Sequence, residues 1–223
     1  TKREDPFVFD HGAQYFTVKS DEFYNFLKPL YEKNIIKSWT YKFIRIKTNR
    51  VIEKKAVKSS DNHFVGAPNM NSIVKHLAKD FNIFFNTKVE AVKKVNDKWQ
   101  ILCTNDKKYS GYNWIIFTTP PEQVYCSISE NISFYKLLEG IKMKCCCSLL
   151  LGFKSPINLG FDVAEIENNA IQWISINNSK PDRESNFSIV INSSYEWAEK
   201  NINRSKKEII ESLLSLSSNL LRI

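Results

Sequence analysis

The side chains best suited to chemistry fall in one short stretch, Phe9-Asp10-His11-Gly12-Ala13-Gln14-Tyr15-Phe16-Thr17. It gathers a glycine, an amide, a phenol and a small hydroxyl directly after the apolar run Phe7-Val8-Phe9. Gly12 allows close approach of the backbone to a ligand, or a positive φ. Gln14 both donates and accepts hydrogen bonds, and Tyr15 joins an apolar ring to a polar tip. The same residue types build an ordinary strand-to-helix loop with a satisfied polar cluster, so both readings stand. A second polar stretch, residues 177–186, carries Lys180 and Arg183. It reads as a solvated loop, with a place near an anionic substrate as the functional alternative. His63 has no histidine or carboxylate at ligand spacing and no CxxC occurs, so no metal site is expected.

The elements that must position these residues follow from periodicity. Residues 7–9 read as a short strand. Ser20 is a candidate N-cap for a helix whose apolar face is Phe23, Phe26, Leu27, Leu30 and Tyr31, with Pro29 expected to kink it or end its regular part. Alternation over residues 36–41, 43–47 and 51–53 reads as a meander turning at residues 48–50. Trp39 either lines a pocket or fills the core. Residues 63–70 read as a loop leading to a helix, capped by Asn69 or Asn71, that buries Ile73, Val74, Leu77, Ala78 and Phe81. Residues 83–85 form a brief buried strand, and residues 88–92 and 99–103 a hairpin about Asn96-Asp97. Trp114-Ile115-Ile116-Phe117 reads as a strand buried on both faces, ending at Thr118-Thr119-Pro120-Pro121. A short helix near residues 135–140 follows, then strands at 146–153, 163–166, 170–176 and 187–191. Ser205 and Glu208 form a capping box for a last helix with Ile209, Ile210, Leu213, Leu214 and Leu220 on its apolar face.

Composition narrows the classes. The formal net charge of +8 is spread over scattered lysines, which argues for a general bias and against nucleic-acid binding. No run approaches the roughly 18 apolar residues of a membrane span. The charged start Thr1-Lys2-Arg3-Glu4-Asp5 lacks a signal-peptide pattern, so a cytoplasmic protein is expected. The five cysteines, Cys103, Cys126 and Cys145-Cys146-Cys147, read as small buried hydrophobes in a reducing compartment. Helical and strand segments alternate without a break, giving an α/β (α+β) chain of two interleaved domains.

The string FDHGAQYFT, preceded by Thr1-Lys2-Arg3, resembles the segment just downstream of the first nucleotide-binding motif in renalase-like FAD-dependent oxidoreductases, within the amine-oxidase-like flavoproteins. Val65-Gly66-Ala67-Pro68-Asn69-Met70, Thr87-Lys88-Val89, Phe117-Thr118-Thr119-Pro120-Pro121, Asn178-Ser179-Lys180-Pro181 and Asn192-Ser193-Ser194-Tyr195-Glu196-Trp197 follow in the same order. The resemblance implies an FAD enzyme that takes a hydride from a small molecule, such as an isomeric dihydronicotinamide dinucleotide, and passes electrons to oxygen. A flavin-dependent amine oxidase or dehydrogenase, with Trp39, Trp173 and Trp197 as a candidate amine cage, and a non-catalytic binding module remain as alternatives.

The resemblance further implies a partial FAD-binding, Rossmann-like domain at residues 1–20 and 64–130, and a substrate domain with a mixed or antiparallel sheet at 21–63 and 131–223. Gln14 and Tyr15 would contact flavin, with Gly12 and Ala13 allowing close approach. Arg3 would meet a cofactor phosphate, Val89 the adenine through its backbone, and Thr118, Thr119 and Pro120 the cofactor channel. Trp173, Asn177 and Lys180 would face the substrate, and Asn192 stands where relatives usually carry a histidine. No two of the six glycines have G-x-G-x-x-G spacing. The family places that unit before residue 1 and a Gly-Asp flavin segment after residue 223, so the chain is expected to be a fragment.

Overall fold

Local rules build most of the elements in this computed structural model, which describes residues 1–129, 132–167 and 169–221. In chain order the first elements are β1 (Lys2–Glu4), β2 (Phe7–Phe9), β3 (Phe16–Thr17), α1 (Asp21–Glu32), β4 (Ile36–Ser38), β5 (Tyr41–Lys47), β6 (Arg50–Val57), β7 (His63–Gly66) and α2 (Ser72–Leu77). Next come β8 (Val89–Val95), β9 (Lys98–Cys103), β10 (Lys108–Tyr112), α3 (Pro121–Ser127) and α4 (Tyr135–Leu138). The last are β11 (Ser148–Gly152), β12 (Val163–Glu167), β13 (Ile171–Ile176), β14 (Ser188–Ser193), α5 (Tyr195–Asn201) and α6 (Lys206–Leu221). Two compact units result, one of Thr1–Asp80 with Cys145–Ile223, the other of Phe81–Lys144.

The first unit is built on a mixed six-stranded sheet of order β11-β14-β13-β12-β5-β6, in which β12 runs parallel to β5 and the other pairs are antiparallel. Side chains alternate between its faces. Ile44, Ile46, Ala164, Ile166, Ile174, Ile176, Ile189 and Ile191 enter one core, which Leu213 of α6 closes. Tyr41, Phe43 and Val163 enter a second core with Trp39 and Val65, against which Tyr15 and Trp173 pack. A smaller sheet, β3-β7-β4, lies in the same unit. Helix ends follow the expected chemistry: Ser20 Oγ accepts from Phe23 N–H at 3.2 Å, and Ser205 and Glu208 cap each other reciprocally.

The second unit carries the antiparallel sheet β10-β9-β8. Its β8–β9 hairpin turns at Asn96 and Asp97, both at positive φ. Val92, Val124 and Ile128 form its small core.

Several expectations fail for identifiable reasons. Residues 36–57 are not one meander, because β4 pairs with β7 in the smaller sheet. His63–Gly66 is a strand, not a loop. Phe23, Phe26 and Tyr31 of α1 lie exposed while Leu27 and Leu30 are buried, so a five-residue apolar face covers only a two-residue contact. Pro29 sits in the last turn, and α1 continues to Glu32. In α2, Val74 and Leu77 are exposed, as is Phe81 beyond it. Residues 83–85 and 114–117 are not strands, and Trp114 and Ile116 are 85% and 86% exposed. An apolar run becomes a buried strand only where a ladder pairs its backbone, and none pairs these runs among the described residues. Of the cysteines only Cys103 is buried; Cys126 and Cys146 are exposed.

Candidate functional site

The opening loop between β2 and β3 is held by a buried ionic cluster. Arg183 donates to Asp10 Oδ2 from Nε at 3.0 Å and Nη2 at 2.7 Å, and Lys180 Nζ lies 3.7 Å from the same oxygen. The Lys180 side chain is 0% exposed, and those of Asp10 and Arg183 are each 1% exposed. The other carboxylate oxygen accepts from Thr1 Oγ1 and Met70 N–H at 2.7 and 3.1 Å. Burial pushes the Asp10 carboxyl upward, but Lys180, Arg183 and these hydrogen bonds outweigh it and hold it below the usual carboxylate range. Burial brings the Lys180 ammonium down to about 8, against the pull of Asp10. A buried ion pair of this kind must be matched by good geometry and further hydrogen bonds.

Gln14 joins this cluster to the sheet. Its Oε1 accepts from Lys180 Nζ at 2.9 Å and from Ser175 Oγ of β13 at 2.7 Å. Its Nε2 donates to the Asp10 and Gly12 carbonyls at 2.5 and 3.2 Å. All four hydrogen-bonding positions of the amide are thus used inside the protein. Asn177 braces the same loop through two bonds, accepting from Asp10 N–H at 3.2 Å and donating to the Val8 carbonyl at 2.9 Å.

This bracing sets Tyr15 on the open face of the sheet. A cavity of about 310 Å³ there is lined by Gln14, Tyr15, Cys146, Glu165, Gln172, Trp173, Asn192 and Ser193. That volume is at the lower end for small-molecule sites. Tyr15 stacks on His63 with ring centres 4.4 Å apart, and Trp39, Tyr41 and Trp173 surround it at 6.1, 6.3 and 6.3 Å. Trp173 Nε1 is buried without a hydrogen-bond partner among the described residues. Asn192 Oδ1 accepts from Ser148 Oγ at 2.9 Å. Cys146 Sγ lies 3.4 Å from the Ser193 carbonyl, and burial pushes its thiol upward. Glu165 is held by Arg45 at 3.0 and 3.1 Å. Gly12 has no atom within 4 Å of the Cβ that an alanine would add, and its φ is not positive.

Four residues singled out from the sequence therefore converge on one cavity: Gln14, Tyr15, Trp173 and Asn192. Asn177 and Lys180 stand behind its wall. Arg3 is exposed and faces Glu184 at 3.4 Å. Gly12 and Ala13 are exposed on the loop and border a second cavity of about 320 Å³ with Thr1, Asp10 and Met70. In the second unit, Val89 opens β8 opposite Cys103, Thr118 and Thr119 are exposed, and Pro120 precedes α3. The solvated-loop reading of residues 177–186 is overturned by the burial of Lys180 and Arg183. Asp10 engages both cations. The three tryptophans form no single cage: Trp39 is buried with Nε1 donating to the Ser179 carbonyl, Trp173 lines the cavity, and Trp197 lines a separate one of about 690 Å³. Asp10 and Ser175 were not picked out from sequence, although Asp10 stands inside the opening string.

No family model matches the chain. Solved structures do. A double mutant of putrescine oxidase, redesigned in cofactor binding, aligns with a TM-score of 0.54 at 15% identity over 71% of this chain and 36% of that chain. The fold is similar to part of putrescine oxidase. The wild-type enzyme bound to putrescine gives 0.53 at 16% identity over 72% of this chain and 36% of that chain. Tetracycline destructase Tet(51) gives 0.49 at 10% identity over 95% of this chain and 57% of that chain. This chain therefore spans about a third of the putrescine oxidase structures that it matches. No helix among the described residues is long and apolar enough to cross a membrane.

Proposed function

We propose that this chain is part of an FAD-dependent oxidoreductase, and that the loop from Asp10 to Tyr15 forms one wall of the site where flavin and a small-molecule substrate meet. The observation that carries the reading is the convergence of Tyr15, from the FDHGAQYFT string, with Trp173 and Asn192 on one cavity of about 310 Å³. The fold likeness to putrescine oxidase supports it. The residues suit the group. Tyr15 and Trp173 offer apolar faces to a planar ring, and Gly12 leaves the backbone open where neither its φ nor internal packing calls for glycine. FAD, when bound, supplies acceptance of a hydride and its reoxidation by oxygen. The chain's own residues orient and shield. Gln14 and Asn177 fix the loop, Lys180 and Arg183 anchor it through Asp10, and Asn192 and Ser193 offer polar contacts to a substrate. Asn192, a neutral amide, cannot titrate near neutral pH as a histidine does. The carry-over of Arg3, Val89, Thr118, Thr119 and Pro120 to cofactor contacts belongs to the same proposal, as does the division into cofactor and substrate segments.

The substrate is a hydride donor, with an isomeric dihydronicotinamide as the first choice. One observation favours an amine instead: Glu165 places a carboxylate on the cavity wall beside Trp173, although Arg45 holds it. Anaerobic bleaching of flavin absorbance in the intact polypeptide separates the two. Bleaching by dihydronicotinamide isomers supports the first and bleaching by diamines the second. A bound flavin that neither class reduces removes both.

A further inference from the structure

Five rings of the first unit form a connected set that starts in the cavity and ends inside the protein. Trp173 and Tyr15 line the cavity, with ring centres 6.3 Å apart. Behind Tyr15 stand Trp39 at 6.1 Å, Tyr41 at 6.3 Å and His63 at 4.4 Å, and Trp39 and Tyr41 lie 4.2 Å apart. Every step is a contact between neighbouring rings, well within the range over which an electron moves between aromatic side chains.

Their hydrogen bonds differ in a way that sets where an oxidised ring comes to rest. An aromatic ring that loses an electron becomes a strong acid, and a buried cation is costly unless its proton can leave. Trp173 Nε1 has no partner among the described residues. Trp39 Nε1 donates only to the Ser179 carbonyl, a very weak base, and the Lys180 ammonium lies 5.4 Å from the Trp39 ring centre, which repels a second positive charge. Tyr41 Oη lies 2.9 Å from His63 Nδ1. Burial holds the His63 imidazole below its usual range, so it is neutral and in its Nε2–H tautomer accepts at Nδ1 from Tyr41, and burial likewise holds the Tyr41 phenol protonated. Tyr41 thus has an imidazole nitrogen placed to take its proton, which neither tryptophan of the set has, and the Tyr15 hydroxyl is itself hydrogen-bonded with Tyr41.

We propose that this chain of rings carries one-electron oxidising equivalents away from the cavity to Tyr41, which gives its phenolic proton to His63 as its electron leaves. The oxidant is an oxygen-derived radical, hydroxyl or peroxyl, arising at the cavity. It takes one electron from Trp173 or Tyr15, and Tyr41 refills that ring. The products at the end of the chain are a neutral Tyr41 phenoxyl and a His63 imidazolium. A soluble thiol or ascorbate returns the electron and the imidazolium returns the proton, which restores both side chains. The function is protective: the hole is held where it does not cleave or crosslink the cavity wall. It does not depend on the identity of the cofactor.

The exposed Cys146 thiol on the cavity wall allows an oxidant to be placed there. A ruthenium polypyridyl label is attached to Cys146 in a chain carrying Cys126→Ser, Cys145→Ser and Cys147→Ser. It is oxidised by a flash with a soluble electron acceptor, and the products are freeze-trapped for electron paramagnetic resonance. The expected product is a tyrosyl radical that is lost in Tyr41→Phe and forms more slowly in His63→Leu, with a solvent deuterium isotope effect that His63→Leu removes. The isotope effect on the otherwise unsubstituted chain tests the proton step even where a variant fails to fold. A trapped tryptophan radical, the same tyrosyl signal in Tyr41→Phe, or no isotope effect overturns the proposal.

Discussion

Arg183 and Asp10, 173 positions apart, meet through two guanidinium nitrogens on one carboxylate oxygen, with both side chains 1% exposed. Arg183 also donates from Nη1 to the Pro68 and Pro181 carbonyls at 2.6 and 2.9 Å. One side chain thereby ties the opening loop to the segment after β7 and to the loop after β13. Removing one partner of a buried pair strands the other charge, so Arg183→Leu is expected to cost about 3–5 kcal/mol of unfolding free energy. Urea denaturation reads this directly. A loss below about 1 kcal/mol is what an exposed pair gives, and would remove the anchor from the account.

Lys180 gives the pair a pH signature of its own. Its proton is released near pH 8 in the fold, against 10.5 for an ordinary lysine. Between those values the unfolded chain holds a proton that the fold does not, so stability rises with pH across that window. The full rise is on the order of 3 kcal/mol. In Lys180→Met this rise is expected to vanish, as measured by the difference in urea midpoints between the two chains from pH 8 to 10.5. Asp10 has the same sign of dependence at the acid end. Its depressed carboxyl contributes stability above the ordinary value of about 3.9, which is lost as pH falls through its lower folded value.

Gly12 and Gly66 make a paired test of function against packing. A Cβ on Gly66 would lie 2.5 Å from the Asn69 carbonyl oxygen and 2.8 Å from that of Met70, both backbone atoms. Gly66→Ala is expected to destabilise by about 1–3 kcal/mol. Gly12→Ala meets nothing, and its smaller unfolded ensemble leaves stability equal or higher by about 0.4–1 kcal/mol. Flavin uptake by the intact polypeptide should nonetheless weaken in Gly12→Ala by about tenfold, or about 1.4 kcal/mol. Equal flavin affinity with and without the methyl group would separate Gly12 from the cofactor.

What the sequence could show was local. Thr48-Asn49 and Asn96-Asp97 turn their hairpins at positive φ, and Ser20 and Ser205 cap their helices, because each signal lies within a few residues of its effect. Of the six-stranded sheet, β5 and β6 were legible from alternation. The burial of Lys180 and Arg183 was not, since a basic, proline-containing loop looks solvated until Asp10 is brought to it from the other end of the chain. Gln14 was visible as a polar residue of interest, but its full engagement with Lys180, Ser175 and two carbonyls depends on β13 lying beside it. The run Trp114–Phe117 shows the converse. Apolar residues state that a surface would gain from being covered, and they do not state that a partner strand is there.

The most direct test is the visible absorbance spectrum of the intact polypeptide after purification and after addition of FAD, beside the same polypeptide carrying Tyr15→Ala. Flavin bands in the first, weakened or lost in Tyr15→Ala while the chain stays folded, are the result expected if Tyr15 helps to wall a flavin site. No flavin bands in either, with FAD in excess, would contradict the oxidoreductase reading and leave the fold as a binding module.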